Sequence, residues 1–240
     1  FKRGQVIDLA EGATAEVVGR GMEFTTVKIT GPWPLAELFE RIGQMPLPPY
    51  MKRDPCPDDC RWYQTVFAEP QGSIAAPTAG LHFTTRLFDA LADRGVRTAR
   101  ITLHVGPGTF LPVRTTQIED HRMLPEWFTI PEDTVRAIAH TKSAGGRVIG
   151  IGTTVVRTLE SAVSADGSLR PTSGETSLYI TPGYTFRVID AILTNFHLPR
   201  TTLVMLVAAF IGLDRLRDLY AEAVRDHYRF YSYGDAMLIL

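Results

Sequence analysis

The chain has 240 residues, of which 45% are hydrophobic and 21% charged, enough for one large globular domain or two smaller ones. Its formal net charge of −1 provides no global basic field to gather nucleic acid, so any RNA contact must come from a local patch. No apolar run is long enough to span a bilayer and no secretory pattern opens the chain, which sets the expectation of a cytoplasmic protein with no membrane partner.

Phe1 to Leu9 reads as a strand entered in mid-domain, with further chain expected before it. From Val6 to Ile29, short alternating apolar segments broken by Gly-Arg-Gly predict a hairpin-rich β unit. Pro34 to Ile42 carries Leu35, Leu38, Phe39 and Ile42 at helical spacing. The proline-rich stretch from Pro46 to Arg53 predicts a stiff extended segment, either an interdomain strap or a substrate-facing one. Cys56 and Cys60 lack a second pair of ligands, so they read as a reduced pair in a loop. Trp62 to Ala68 has the composition of a strand.

Ala75-Ala-Pro-Thr-Ala-Gly-Leu-His-Phe-Thr84 is the stretch around which the chain looks organised. Its small residues let backbone approach a ligand, and His82 can move a proton near neutral pH. Thr84 or Thr85 stands where a helix cap belongs, before Leu87, Phe88 and Leu91, and Gly95 ends that helix. The same stretch also fits a plain loop-to-helix junction with a hydrogen-bonded core histidine. Val96 to Val105 alternates like a strand, so strand, helix and strand from residue 62 to 105 predict a βαβ unit with His104 near a strand end.

Pro131-Glu-Asp opens a helix that runs to Gly145-Gly146. Val148 to Ile151 is a buried strand leading into a glycine turn and a helix from Val155 to Val163. Gly150 and Gly152 resemble the start of a dinucleotide fingerprint, but the third glycine is absent and tight strand–helix packing is the better reading. Ser177 to Ile180 and Val188 to Leu193 read as strands, and Thr194 to Arg200 as a polar loop. An apolar helix from Thr202 to Ile211 and an amphipathic one from Asp214 to Tyr228 follow, before the closing run from Phe230.

His82, His104 and His197 all fall in glycine- or proline-marked loops at element ends, an arrangement that favours one shared cleft. Glu175 and Asp235 are carboxylates in comparable loops, able to orient a histidine or take a proton. His140 and His227 fall on helices and read as surface residues. There is no Gly-x-Ser-x-Gly elbow, Walker loop or His-Glu-x-x-His, so hydrolase, nucleotide-triphosphatase and zinc-protease readings have no support. The residues alone thus describe an α/β enzyme with a loop-built cleft and acid–base chemistry.

Longer strings go further. Pro-Leu-Pro-Pro-Tyr50, Tyr63-Gln-Thr-Val-Phe-Ala, the 75–84 stretch, His104-Val-Gly-Pro-Gly-Thr-Phe and Gly152-Thr-Thr-Val-Val-Arg-Thr-Leu-Glu-Ser occur in one order. Pro182-Gly-Tyr-Thr-Phe, Leu193-Thr-Asn-Phe-His-Leu-Pro and Tyr231-Ser-Tyr-Gly-Asp-Ala-Met continue it. Together they resemble the S-adenosylmethionine:tRNA ribosyltransferase-isomerase family of queuosine biosynthesis. One departure stands out: where that family commonly has His-x-Met-His-x-Glu, this chain has His121-Arg-Met-Leu-Pro-Glu126, so Leu124 replaces a histidine.

The resemblance implies a mixed-sheet α/β domain with an inserted β-barrel-like domain, residues 1–30 being the tail of the insert and 31–240 the catalytic domain. It implies transfer and isomerisation of the ribosyl part of S-adenosylmethionine onto 7-aminomethyl-7-deazaguanine at the tRNA wobble position. Epoxyqueuosine tRNA forms, and adenine and methionine leave. S-adenosylmethionine would be a co-substrate, with no prosthetic group and no metal, and the protein is expected to be monomeric. Base and acid are expected among His82, His104 and His197, with Glu175 as an alternative base. Thr78, Gly80, Thr84, Thr153, Arg157, Tyr231, Tyr233 and Asp235 are expected at the substrates, the two tyrosines either stacking on an unpaired base or packing the C-terminal tail. Lys52, Arg53, Arg97, Arg100 and Arg114 are candidates for tRNA phosphates. The alternatives are a transferase that uses another acceptor and a non-catalytic RNA-binding relative.

Overall fold

A computed structural model describes residues 1–21, 24–106 and 118–240, the side chain of Glu119 excepted. The chain separates into two compact units, Phe1–Pro46 and Leu47–Leu240. In the first, strands β1 (Val6–Asp8), β2 (Thr14–Arg20) and β3 (Thr25–Thr30) form an antiparallel sheet in that order. Ala13, Ala15 and Val17 are buried, as the period-2 alternation of a one-sided sheet requires. The helix α1 (Leu35–Ile42) buries Leu38, and its Arg41 guanidinium lies 3.6 Å over the Trp33 ring. The hairpins and this helix follow the sequence pattern.

The second unit holds two three-stranded sheets among the described residues. One consists of β4 (Thr102–His104), β5 (Glu126–Ile130) and β7 (Thr172–Thr176), all antiparallel. The other consists of β6 (Ile149–Ile151), β8 (Ala191–Asn195) and β9 (Ala236–Ile239); β6 runs parallel to β8 and β9 antiparallel to it. The helices are α2 (Asp59–Trp62), α3 (Thr85–Asp93), α4 (Glu132–Ser143), α5 (Thr153–Ser161), α6 (Thr202–Ile211) and α7 (Leu213–Arg225). Phe128 and Ile130 of β5, Val156 and Leu159 of α5, Ile192 of β8 and Leu206 of α6 meet in one core. The architecture is therefore mixed α/β, built from several small sheets.

Three elements differ from the sequence pattern. Residues 62–68 form no strand: Trp62 ends the short helix α2 and an irregular segment follows. Their aromatic residues serve packing instead, with Tyr63 buried edge-on to Tyr233 and Phe67 edge-on to Phe88. The βαβ unit expected there is consequently missing, and the parallel pair is β6–β8, connected through α5. Strand β7 lies at Thr172–Thr176 rather than at Ser177–Ile180, which places Glu175 inside a strand instead of a loop. Residues 49–51 tighten into a 3-10 turn within the stretch expected to be extended.

Glycine is required where β6 meets α5. Gly152 takes φ +95 to turn the chain, and a Cβ at Gly150 would sit 3.0 Å from Val156 Cγ2. This is the tight strand–helix packing inferred from the Gly-Ile-Gly spacing. At α3, Thr84 is the N-cap and its Oγ1 accepts from the Leu87 N–H at 3.2 Å. Thr84→Ala should lower stability by about 1 kcal/mol in denaturant titration, and Thr84→Ser should recover most of it.

Candidate functional site

A cleft in the second unit is built from loops that are far apart in sequence. Ala75–Ala79 supplies one side, Gly152–Thr154 the turn into α5, Thr194–Leu198 the end of β8, Thr201 and Leu203 the start of α6, and Tyr231–Ser232 the tail. Tyr50, Tyr63 and Val105 complete the lining. The topology explains the convergence: β8 ends where α5 and α6 begin, the place where an open parallel arrangement leaves space beyond its strand ends.

Asn195, 2% exposed, is the hub. Thr78 Oγ1 donates to its Oδ1 at 2.9 Å, and its Nδ2 donates to the Tyr231 carbonyl at 3.2 Å. The same Nδ2 lies 3.4 Å from His82 Nε2. His197 lines the cleft at 9% exposure, with Nε2 2.8 Å from Thr194 Oγ1 and its N–H donating to the Tyr220 hydroxyl at 2.9 Å. Burial pulls its pKa down to about 4, so the ring is neutral at physiological pH and acts as a dipolar hydrogen-bonding group.

One wall is aromatic and is pinned by a buried carboxylate. The Tyr50 ring meets Tyr231 at 5.2 Å between centroids, and its hydroxyl bonds to Ser232 Oγ. The Tyr233 hydroxyl donates to Asp59 Oδ1 at 2.8 Å, and Arg53 grips the same carboxylate through two hydrogen bonds of 2.7 Å. The Arg53 guanidinium holds the Asp59 carboxyl well below the usual range, while burial pushes the Tyr63 hydroxyl up to about 12. Burial likewise raises the Tyr50 and Tyr233 hydroxyls, so these three phenols add no negative charge at neutral pH. Tyr231 itself sits at φ +75, an uncommon conformation for a large side chain; its N–H donates to the Phe196 carbonyl at 2.9 Å.

The candidates named from sequence divide clearly. Thr78, Thr153, His197 and Tyr231 line the cleft, and His82 touches it through Asn195. His104 does not line it. Its ring meets Trp127 at a tilt, 4.9 Å between centroids, and lies against Gly72, while its neighbour Val105 faces the cleft. Glu175 is exposed on β7 opposite Trp127, so His104, Trp127 and Glu175 form a row on one face of the β4–β5–β7 sheet. Arg157 is 3% exposed and donates from Nη1 to Glu126 Oε2 at 2.7 Å and from Nε to the Leu178 carbonyl. Gly80 is required by packing, since a Cβ there would press into the Phe67 ring at 2.6 Å. Thr84 caps α3, Tyr233 serves Asp59, and Asp235 accepts from the Arg229 N–H at 2.7 Å.

Of the cationic candidates, Arg53 is held by Asp59, Arg97 lies 2.9 Å from His140 Nδ1 and Arg100 pairs with Glu69. Lys52 is exposed at φ +50, and Arg114 lies outside the described residues. Sequence reasoning did not single out Asn195, Thr194, Tyr50 or Asp59. The first three belong to motif strings but carry no titrating group, and Asp59 was hidden in a loop read for its cysteines. Among the described residues no group of three or more His, Cys, Asp or Glu side chains could hold a metal ion, and no helix is long and apolar enough to cross a membrane.

A family model described as "Queuosine biosynthesis protein" matches residues 1–239. The chain is 51% identical over 239 residues to the S-adenosylmethionine:tRNA ribosyltransferase-isomerase of Geotalea uraniireducens, covering 99% of this chain and 70% of that protein. The protein of the same name from Pelobacter propionicus is 53% identical over 240 residues, covering 100% and 70%. The crystal structure of S-adenosylmethionine tRNA ribosyltransferase from Thermotoga maritima superposes with a TM-score of 0.57 at 34% identity. That match covers 100% of this chain and 66% of the other. The chain thus spans about two thirds of the length of these relatives.

Proposed function

The chain belongs to the queuosine biosynthesis protein family, and from that premise we propose that it is the ribosyl-transferring part of an S-adenosylmethionine:tRNA ribosyltransferase-isomerase. The ribosyl part of S-adenosylmethionine moves to the aminomethyl group of 7-aminomethyl-7-deazaguanine at the tRNA wobble position. Epoxyqueuosine tRNA is formed, and adenine and methionine are released. What carries the reading is that seven of the eight long motif strings, scattered from residue 50 to residue 232, supply lining to one cleft.

The chemistry suits such a cleft. The positive sulfonium acidifies the adjacent ribose C5′–H, a base removes that proton, charge moves to expel adenine, and a neutral amine attacks the activated sugar. We assign the proton transfer to His82, which stands beside Asn195 and is open to exchange protons with solvent. His197, neutral and buried, is assigned to hydrogen bonding inside the cleft. His104 and Glu175, on a separate sheet face, are the second choice for proton transfer. Tyr231 and Tyr50 offer ring faces for adenine or for the extruded wobble base. Lys52 is the cation we favour for a tRNA phosphate. The strands of residues 1–30 are taken as the end of an inserted barrel-like domain, the protein as a cytoplasmic monomer, and S-adenosylmethionine as co-substrate without a prosthetic group.

The test is adenine release by the whole protein given S-adenosylmethionine and tRNA carrying the deazaguanine precursor. Adenine formed only with that tRNA is the expected result; none under any condition, with the protein folded, would overturn the reading. His82→Ala should lower turnover by at least about tenfold with little change in the KM for S-adenosylmethionine. Unchanged turnover would remove His82 from the mechanism.

A further inference from the structure

Among the described residues, the cleft lining contains no lysine, arginine, aspartate or glutamate. The His197 imidazole is neutral and burial raises the Tyr50 and Tyr63 hydroxyls, so these described lining groups bring no formal charge. Positive potential among the lining groups comes instead from the backbone. Helix α5, nine residues long, begins at Thr153, and helix α6, ten residues long, begins at Thr202. Neither start has a side chain capping it: Gly152 has none to offer, and Thr201 Oγ1 donates to the Leu198 carbonyl instead. Gly152, Thr153 and Thr154 of one start and Thr201 and Leu203 of the other line the same cleft. Two sets of first-turn N–H groups, with the positive ends of two helix dipoles, are thereby turned on one volume.

A separate observation points to a ligand there. Thr153 is 6% exposed and lines the cleft, yet its hydroxyl has no hydrogen-bond partner among the described residues. That hydroxyl is not enclosed by protein and opens into the cleft beside the two uncapped helix starts, where it is free to donate to a bound acceptor.

We propose that the N-terminal turns of α5 and α6, together with the Thr153 hydroxyl, form an oxyanion subsite for the carboxylate of the S-adenosylmethionine amino-acid chain. The assignment rests on the proposed function. A carboxylate is favoured over a tRNA phosphate because it ends its chain and can seat between the two helix starts, whereas a phosphodiester is flanked by sugars on both sides. This seating also gives the substrate a polarity within the cleft: amino-acid end at the helix starts, purine end toward the Tyr50–Tyr231 wall.

Decarboxylated S-adenosylmethionine, which differs from the substrate by that one group, provides the test. Calorimetric titration of the whole protein should show it binding at least about thirtyfold more weakly than S-adenosylmethionine. Thr153→Val should weaken S-adenosylmethionine about tenfold and leave the decarboxylated compound unchanged, with Thr153→Ser restoring the difference. Equal affinities in the unaltered protein would overturn the subsite while leaving the proposed function standing, and failure of both compounds to bind would overturn both. A Thr153→Val variant weaker only toward tRNA would move the site to a phosphate and also overturn the assignment.

Discussion

Glu160→Ala should destabilise the protein by about 4 kcal/mol in urea or guanidinium titration, and Glu160→Gln by about half as much. The carboxylate is fully buried and accepts from three successive main-chain donors: the N–H groups of Arg187, Val188 and Ile189, at 2.9, 2.9 and 3.0 Å. The Tyr184 hydroxyl also lies 3.4 Å from it. Truncation removes the acceptor for all three N–H groups in a region where Val188 and Ile189 are each 4% exposed, so water cannot readily replace it. The glutamine amide keeps one acceptor oxygen and brings unwanted donors, hence the smaller loss. Because this segment leads directly into β8, which carries Thr194 and Asn195 to the cleft, ligand affinity should fall with stability. A loss below about 1 kcal/mol for the alanine variant would show that the segment is held by other means.

The second large effect is a pH dependence. Burial holds the His197 pKa at about 4, against about 6.5 for a free imidazole. Between those values the unfolded chain binds a proton that the folded chain does not, so stability rises with pH across the window. Stability is therefore complete above about pH 6.5 and falls as the pH drops toward 4, by about 3 kcal/mol at the lower end. Carboxylates titrate in part of the same range, so the measurement is a difference: unfolding free energy against pH for the unaltered protein and for His197→Gln. The variant cannot titrate at this position and should show the shallower slope. Parallel curves would mean that burial does not lower the His197 pKa.

The sequence revealed elements best where a local device marks them. Thr84 caps α3, Gly95 follows it, and Pro131 and Gly145 bracket α4; each acts through the chain beside it. It misled where composition served tertiary packing. Trp62 to Ala68 has the aromatic content of a strand, but Tyr63 spends its ring on Tyr233 and Phe67 on Phe88. The motif loops of the cleft were legible as strings, and with them His197, Thr78, Thr153 and Tyr231. What stayed hidden was direction. His104 and Val105 are neighbours, and only the register of β4 against β5 decides that the valine faces the cleft and the histidine faces Trp127. Arg53 read as a free cation because nothing local shows that Asp59 closes on it.

The aromatic wall has one further consequence, for the order in which the molecule assembles. Tyr50 and Ser232 are 182 residues apart, and Asp59 and Tyr233 are 174 apart. Contacts of such long range carry a heavy loop-closure entropy, and that burden lightens only once the chain between has condensed. Both sides of the wall must therefore find each other late, after the core around α5 and β8 is in place. Until they close, the cleft lacks its aromatic wall, so recognition by those rings is expected to arise only with the last long-range contacts.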